Sequence, residues 1–244
     1  MSPATSIATA ARVATQLRRD PRTMALLLLV PAALVALLRW VYDRQPVVLD
    51  RAGPAMVGIF PFVAMFLVTS VVTLRERTSG TLERLLTTPL TRLDFLLGYA
   101  TAFAATAFVQ VAVTSALAFG PLGFSAHGHV LLIGILALTN AVLGMALGLL
   151  ASAFATTEFQ AVQFLPAVVL PQFLLCGLLV PHDQMPAALR VAADFMPLRY
   201  AVDGVTRAAT SGWSGRVAVD LAVAIACTAA ALLLGAATLR RQTD

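Results

Sequence analysis

The chain has 244 residues, of which 59% are hydrophobic and 12% are charged, and its formal net charge is +5. Soluble domains carry about 25% charged residues, so this composition excludes a water-soluble globular protein and predicts an integral membrane protein. All 17 positions occupied by lysine or arginine are arginine, which excludes a Walker A loop because that phosphate-binding loop requires a lysine.

Runs without charged residues predict the fold class, an all-α membrane protein with six transmembrane helices. A helix needs about 20 mostly apolar residues to cross the hydrocarbon core of a bilayer. The expected spans are 23–40, 53–73, 93–119, 130–153, 159–180 and 217–239. A charged loop up to Ala52 separates the first two spans, and a Gly-Pro-Leu-Gly turn at 120–123 separates the third from the fourth.

Residues 1–22 are expected to form an amphipathic helix on the inner leaflet, followed by a six-span domain over residues 23–244. Arginines on the polar side of this interfacial helix would be attracted to anionic lipid. A disordered tail is the alternative. The apolar positions are Ile7, Ala10, Ala14 and Leu17, and the arginines are Arg12, Arg18 and Arg19.

The distribution of arginine predicts the orientation of the chain. An even number of spans places both termini on one side of the membrane, and that side carries ten of the 17 arginines. Positive charge favours the cytoplasmic side, so both termini and the segment 74–98 are expected in the cytoplasm. The arginines flank spans instead of forming one basic face, which disfavours nucleic acid as a partner.

The densest cluster of charges lies at 74–98, and it contains a short amphipathic pattern. Apolar residues at helical spacing predict a helix over 80–88, which Gly80 allows to begin sharply and Pro89 ends. This segment is either a solvated loop or a docking element for a cytoplasmic partner. The apolar side would consist of Leu82, Leu85 and Leu86, and the polar side of Glu83, Arg84 and Thr87.

Polar side chains recur at helical spacing inside the spans. Such groups need partners at membrane depth, so they either line a pathway or hold helices together. The candidates are Thr106, Gln110 and Thr114 in the third span, Asn140 in the fourth and Gln172 in the fifth. Gly144 and Gly148 favour helix packing. No charged residue lies in the middle of a span, which argues against coupling to protons or sodium through an intramembrane carboxylate.

The segment 181–216 is too polar to cross the membrane. Its prolines predict short helices over 187–193 and 198–209 that lie on or dip into the outer leaflet, and a plain external loop is the alternative. Asp203 and Arg207 are four residues apart and are expected to pair. The two histidines at 127 and 129 lack a third ligand, so no metal site is expected, and no catalytic motif is present.

Two motifs resemble the signatures of type-2 ABC exporter permeases. The first is Arg75-Glu76-Arg77-x-x-Gly80-Thr81-Leu82-Glu83-Arg84-Leu85-Leu86-x-Thr88-Pro89-Leu90-x-Arg92. The second is Pro181-x-x-x-Met185-Pro186 followed by Met196-Pro197-Leu198-x-Tyr200-Ala201-Val202-Asp203-Gly204-x-x-Arg207. The order of the motifs, the six spans and the length all agree with this family. Met196 stands where the family usually has asparagine, a difference that concerns a local helix cap.

The resemblance implies a cytoplasmic coupling helix over 80–88 that inserts into a groove of a separate ABC ATPase. It also implies re-entrant helices between spans five and six, with the motif residues Pro197, Tyr200, Asp203 and Arg207. The coupling residues would be Gly80, Thr81, Leu82, Glu83, Arg84, Leu85, Leu86, Pro89 and Arg92.

The same resemblance implies an assembly of two permease chains, identical or sister, with two ATPase chains in a bacterial plasma membrane. The ATPase chains would bind ATP and Mg, so this chain would need no cofactor and would not itself be an enzyme. The short external loops resemble the daunorubicin-type drug-resistance branch of the family.

We therefore expect the permease of an ATP-driven exporter of amphipathic drugs or lipid-like molecules. A polysaccharide or glycolipid exporter of the same family is one alternative. A membrane anchor that recruits an ATPase without transporting anything is another, and a membrane-embedded enzyme is a third.

Overall fold

The computed structural model describes residues 3–79, 92–125 and 128–238. The helices are α1 (Pro3–Arg19), α2 (Pro21–Val41), α3 (Pro46–Thr78), α4 (Arg92–Phe119), α5 (Val130–Ser152), α6 (Glu158–Leu175), α7 (Ala187–Asp194), α8 (Pro197–Ser211) and α9 (Gly215–Thr238). Within these ranges no strand occurs, and α2, α3, α4, α5, α6 and α9 are long and apolar enough to cross a membrane. The expected all-α fold with six candidate spans is confirmed.

The helices α3 and α5 form the most extensive helix pair of the described chain. A Cβ atom at Gly144 would lie 2.2 Å from the carbonyl oxygen of Phe62, and one at Gly148 would lie 2.4 Å from that of Phe66. Only glycine lets the two backbones approach so closely, which is how small residues hold membrane helices together. The packing interpretation of these glycines is confirmed.

The helix α1 packs against α4 instead of lying free, so the disordered-tail alternative is wrong for the described residues. Its buried side carries Thr9, Val13 and Leu17. Ile7, which was expected on the apolar side, is 67% exposed. The face that was expected to meet lipid is therefore turned partly toward the neighbouring helix.

Two spans differ from their expected bounds. The helix α3 begins at Pro46 and has 33 residues, which corresponds to about 50 Å and exceeds the hydrocarbon thickness of about 30 Å. The expected charged loop up to Ala52 is thus partly helix. The helix α6 ends at Leu175, earlier than expected, because Gly177 adopts a φ of +90° that a helix cannot contain.

A proline in α2 explains one of the buried amides. Pro31 has no N–H group, so the carbonyl of Leu27, four residues earlier, lacks its normal intrahelical donor. The side chain of Gln110 in α4 is fully buried, and its Nε2 donates to the Leu27 oxygen at 3.0 Å. The amide thereby satisfies the backbone group and joins α2 to α4.

Replacing Gly144 with alanine should destabilise the chain, because the new methyl group would force α3 and α5 apart. Overpacking of this kind costs about 1–3 kcal/mol and should lower the unfolding temperature in detergent. Gly134 in the same helix is the control, since nothing lies within 4 Å of a Cβ at that position. The Gly134→Ala variant should unfold at the same temperature or higher, and equal losses in both variants would contradict the packing assignment.

Candidate functional site

Three consecutive charged residues, Arg75, Glu76 and Arg77, occupy the last turn of α3 just before the segment 80–91. Successive side chains of an α-helix point about 100° apart, so the three residues face different neighbours. Each of them contacts a different part of the helix bundle. We call this group the α3 charge cluster.

Arg75 binds the first turn of α6. Its Nε lies 2.8 Å from Oε1 of Glu158, and its Nη2 lies 2.9 Å from Oε2, a two-point arrangement that fixes direction as well as distance. Glu158 lies at the positive end of the α6 dipole, where a carboxylate is favoured. Both side chains are more than half exposed, so we expect the pair to contribute less than about 1 kcal/mol to stability.

Glu76 ties α3 to α1 and α4. Its residue is 6% exposed, and Gln16 donates from Nε2 to Oε1 at 2.9 Å. Arg12 lies 3.6 Å from the other carboxylate oxygen and also donates to the hydroxyl of the fully buried Tyr99 at 2.8 Å. A buried carboxylate requires such donors, because an unpaired charge would be strongly destabilising.

Arg77 binds the far end of α5, where its Nη1 donates to the carbonyl oxygen of Ser152. The last carbonyl groups of a helix lack intrahelical donors, and a cation is favoured there by the helix dipole. The α3 charge cluster therefore connects one helix end to α1, α4, α5 and α6.

The turn between α1 and α2 positions α1 against this cluster. Asp20 caps α2 by accepting from the backbone N–H of Thr23 at 3.1 Å and from its hydroxyl at 2.6 Å. These hydrogen bonds favour the ionised carboxylate, and they lower the pKa of Asp20 below its ordinary value. The hydrogen bonds to ionised Asp20 therefore stabilise the folded chain fully above the ordinary pKa of aspartate. This stabilisation is lost as the pH falls through the lowered pKa of Asp20.

The contacts of the α3 charge cluster are hydrogen bonds and ion pairs between helices. Across the described parts of the chain, no group of three or more His, Cys, Asp or Glu residues could hold a metal ion. A displacement of the chain after Ser79 would pull directly on α3, and the three contacts would carry the displacement to the other helices.

The expected coupling helix lies outside the described residues, so it stays a prediction. This applies to Gly80, Thr81, Leu82, Glu83, Arg84, Leu85, Leu86 and Pro89. Arg92 is the first residue of α4.

The five polar candidates inside the spans are all buried within the chain. The hydroxyls of Thr106 and Thr114 donate to carbonyls four residues earlier in α4. Asn140 donates to the Ala201 oxygen in α8 at 3.2 Å, while Gln110 and Gln172 bond to backbone groups. The bonds of Gln110, Asn140 and Gln172 join different helices, as the packing alternative predicts, whereas those of Thr106 and Thr114 stay within α4. A pathway lined by these five residues stays a prediction.

The segment between α6 and α9 contains the helices α7 and α8, so the plain-loop alternative is wrong. Asp203 and Arg207 lie 3.7 Å apart, and Arg207 also lies 3.7 Å from Asp220 in α9. Pro197 begins α8, and the hydroxyl of Tyr200 donates to the Asp194 oxygen at 2.9 Å. The expectation that these helices lie on or dip into the outer leaflet stays a prediction.

The roles of five residues were not predicted from the sequence: Arg12, Gln16, Tyr99, Glu158 and Asp220. One signal was available in the polar residues Thr69, Thr73 and Glu76, which follow helical spacing through the expected end of the second span. This stripe indicates that the helix continues into the charged segment with one polar face buried. Nothing in the sequence indicates which helix would meet that face.

The chain matches known transporters over most of its length. The family model described as ABC-2 type transporter matches residues 6–209. The "Probable multidrug ABC transporter permease YbhS" of Escherichia coli (strain K12) is 30% identical over 150 residues, which cover 61% of this chain and 40% of the relative. The "Probable multidrug ABC transporter permease YbhR" of the same strain is 28% identical over 153 residues, which cover 62% of this chain and 41% of the relative.

A more distant relative is "ABC transporter G family member 20" of Dictyostelium discoideum. It is 27% identical over 138 residues, which cover 57% of this chain and 19% of the relative. The aligned part thus spans less than half the length of each of these curated relatives.

Replacing Glu76 with alanine should destabilise the chain by about 2–3 kcal/mol, because Arg12 and Gln16 would lose their buried acceptor. Glu158→Ala is the matched control, since it removes the same group from an exposed pair and should cost less than about 1 kcal/mol. The unfolding temperatures of the two purified variants measure the difference. A loss for Glu76→Ala no larger than that for Glu158→Ala would contradict the buried-tie assignment.

Proposed function

The chain belongs to the ABC-2 type transporter family, and we propose that it is the permease of an ATP-driven exporter whose ATPase is a separate chain. The family and the six candidate spans make it a membrane subunit of an ABC transporter. The proposed cargo is an amphipathic drug or a lipid-like molecule that leaves the cytoplasm or the inner leaflet. The word "multidrug" in the printed names of two relatives supports this choice.

The proposed assembly contains two permease chains, identical or sister, and two ATPase chains in a bacterial plasma membrane. Both termini and the segment 74–98 would face the cytoplasm, as the excess of arginine on that side predicts. The ATPase chains would bind ATP and Mg. This chain has no lysine for a Walker A loop, which supports a separate source of energy.

The observation that carries the proposal is the α3 charge cluster. In the proposed mechanism, closure of the two ATPase chains moves the helix 80–88, which is joined to α3 by only a few residues. The cluster then transmits the movement to α6 through Arg75, to α1 and α4 through Glu76, and to α5 through Arg77. Such a rigid-body change between two states is the expected response to nucleotide in the partner.

Replacing Leu85 with aspartate should abolish substrate-stimulated ATP hydrolysis by the co-purified complex, because a charge would enter the apolar groove of the ATPase. Thr87→Asp places the same charge on the opposite side of the expected helix and should retain most of the stimulation. Both variants should reach the membrane in wild-type amounts. Unchanged stimulation in Leu85→Asp would refute the docking role.

Reversing the charge of Arg75 or of Glu158 should lower the amount of substrate transported per ATP hydrolysed several-fold, because like charges would then meet between α3 and α6. The double variant Arg75→Glu with Glu158→Arg restores opposite charges and should recover coupling. Transport per ATP hydrolysed, measured in proteoliposomes, is the readout. Single variants that transport as well as the wild type would contradict force transmission through this pair.

A further inference from the structure

The helix α8 begins without a cap of its own. The first N–H groups of a helix have no intrahelical acceptor, and the residue before the helix normally supplies one from its side chain. That residue is Met196, which has no such oxygen and makes no side-chain hydrogen bond at the cap. Its backbone has a φ of −92° and a ψ of 113°, which is the extended conformation typical of a cap.

A side chain from a different helix supplies the missing acceptor. Oε1 of Gln172 in α6 accepts from the backbone N–H of Leu198, the second residue of α8, at 3.3 Å. The environment is closed to water, since Gln172 is 4% exposed and Leu198 is fully buried. An unpaired amide at this position would therefore be costly.

The nitrogen of the Gln172 side-chain amide makes a second hydrogen bond. Nε2 of Gln172 donates to the carbonyl oxygen of Val168 at 3.0 Å. Val168 lies in a π-helical stretch at Leu165–Val169, and Pro171 directly precedes Gln172. The side chain thus bonds on one side to the irregular turn of α6 and on the other to the start of α8.

The helix α8 is also attached to α9. Gly204 lets α9 approach, since a Cβ there would lie 3.3 Å from the Cβ of Asp220. Arg207 lies 3.7 Å from both Asp203 and Asp220. The helix α8 therefore lies between α6 and α9 and is attached to each of them by polar groups.

We propose that Gln172 is a positioning residue that caps α8 from within α6, in place of the cap that Met196 does not supply. The attachment makes the start of α8 follow α6. The cap itself is independent of the transport proposal. Its consequence, that α8 moves with α6 during transport, rests on the proposed function.

The test measures exchange of the Leu198 amide hydrogen with deuterium in the full chain, purified in nanodiscs. Gln172→Met keeps the length of the side chain and removes both hydrogen bonds, so the Leu198 amide should exchange about tenfold faster. Adding Met196→Asn to that variant supplies a conventional cap on a backbone already suited to it and should restore slow exchange. Gln163→Met, an exposed glutamine of the same helix, should leave the exchange rate unchanged.

Two results would overturn the proposal: wild-type exchange in Gln172→Met, or exchange in the double variant as fast as in the single one. If Gln172→Met does not yield folded protein, the double variant should restore its yield, and failure to do so also counts against the cap. A merely space-filling role for Gln172 would not respond to asparagine at 196. The exchange measurement needs no ATPase, so its outcome is separate from that of the transport assays.

Discussion

The structure depends on one constraint: a backbone group inside a bilayer must find its hydrogen-bond partner within the protein. Pro31 leaves the carbonyl of Leu27 without an intrahelical donor, and Gln110 supplies a donor from another span. Asn140 and Gln172 likewise bond to backbone groups of α8. Each of these three buried amides joins two helices, because it bonds to a backbone group of a different helix from its own. The need of a backbone group for a hydrogen-bond partner thus helps to determine which helices pack together.

The same constraint explains where the charges lie. Helix termini leave N–H and carbonyl groups unpaired, and charged side chains complement these groups and the helix dipole. Arg77 binds the carbonyl end of α5, and Arg75 binds a carboxylate at the amino end of α6. Glu76 is buried between them and is tolerated because α1 provides one hydrogen-bond donor, Gln16, and one positive charge, Arg12. The charged ends of the helices thus form joints between helices and not merely a solvated border.

Apolar runs were enough to predict the six spans, because a helix that crosses the bilayer needs about 20 mostly apolar residues in sequence. The prolines of 181–216 were enough to predict the short helices between α6 and α9. The ends of the spans were less predictable. The charges at 75–77 favoured a loop after the second span, yet α3 continues through them because groups of α1, α5 and α6 pair with these charges. The Gln172–Leu198 bond joins residues 26 positions apart. Helical periodicity predicts which side of a helix a residue lies on, but it does not predict which other helix packs against that side.

Three polar contacts, joined by the helices α6 and α8, link the end of α3 to α9. Arg75 holds the start of α6, Gln172 near its other end bonds to α8, and Arg207 of α8 lies close to Asp220. Coupling along such a route requires an element with two discrete arrangements. The helix α6 is the best candidate, since its π-helical stretch and two prolines weaken the regular hydrogen bonding between its ends. Under the proposed function, a displacement of the start of α6 would be passed to α8 and α9 through these contacts, as far as the irregular middle of α6 stays rigid.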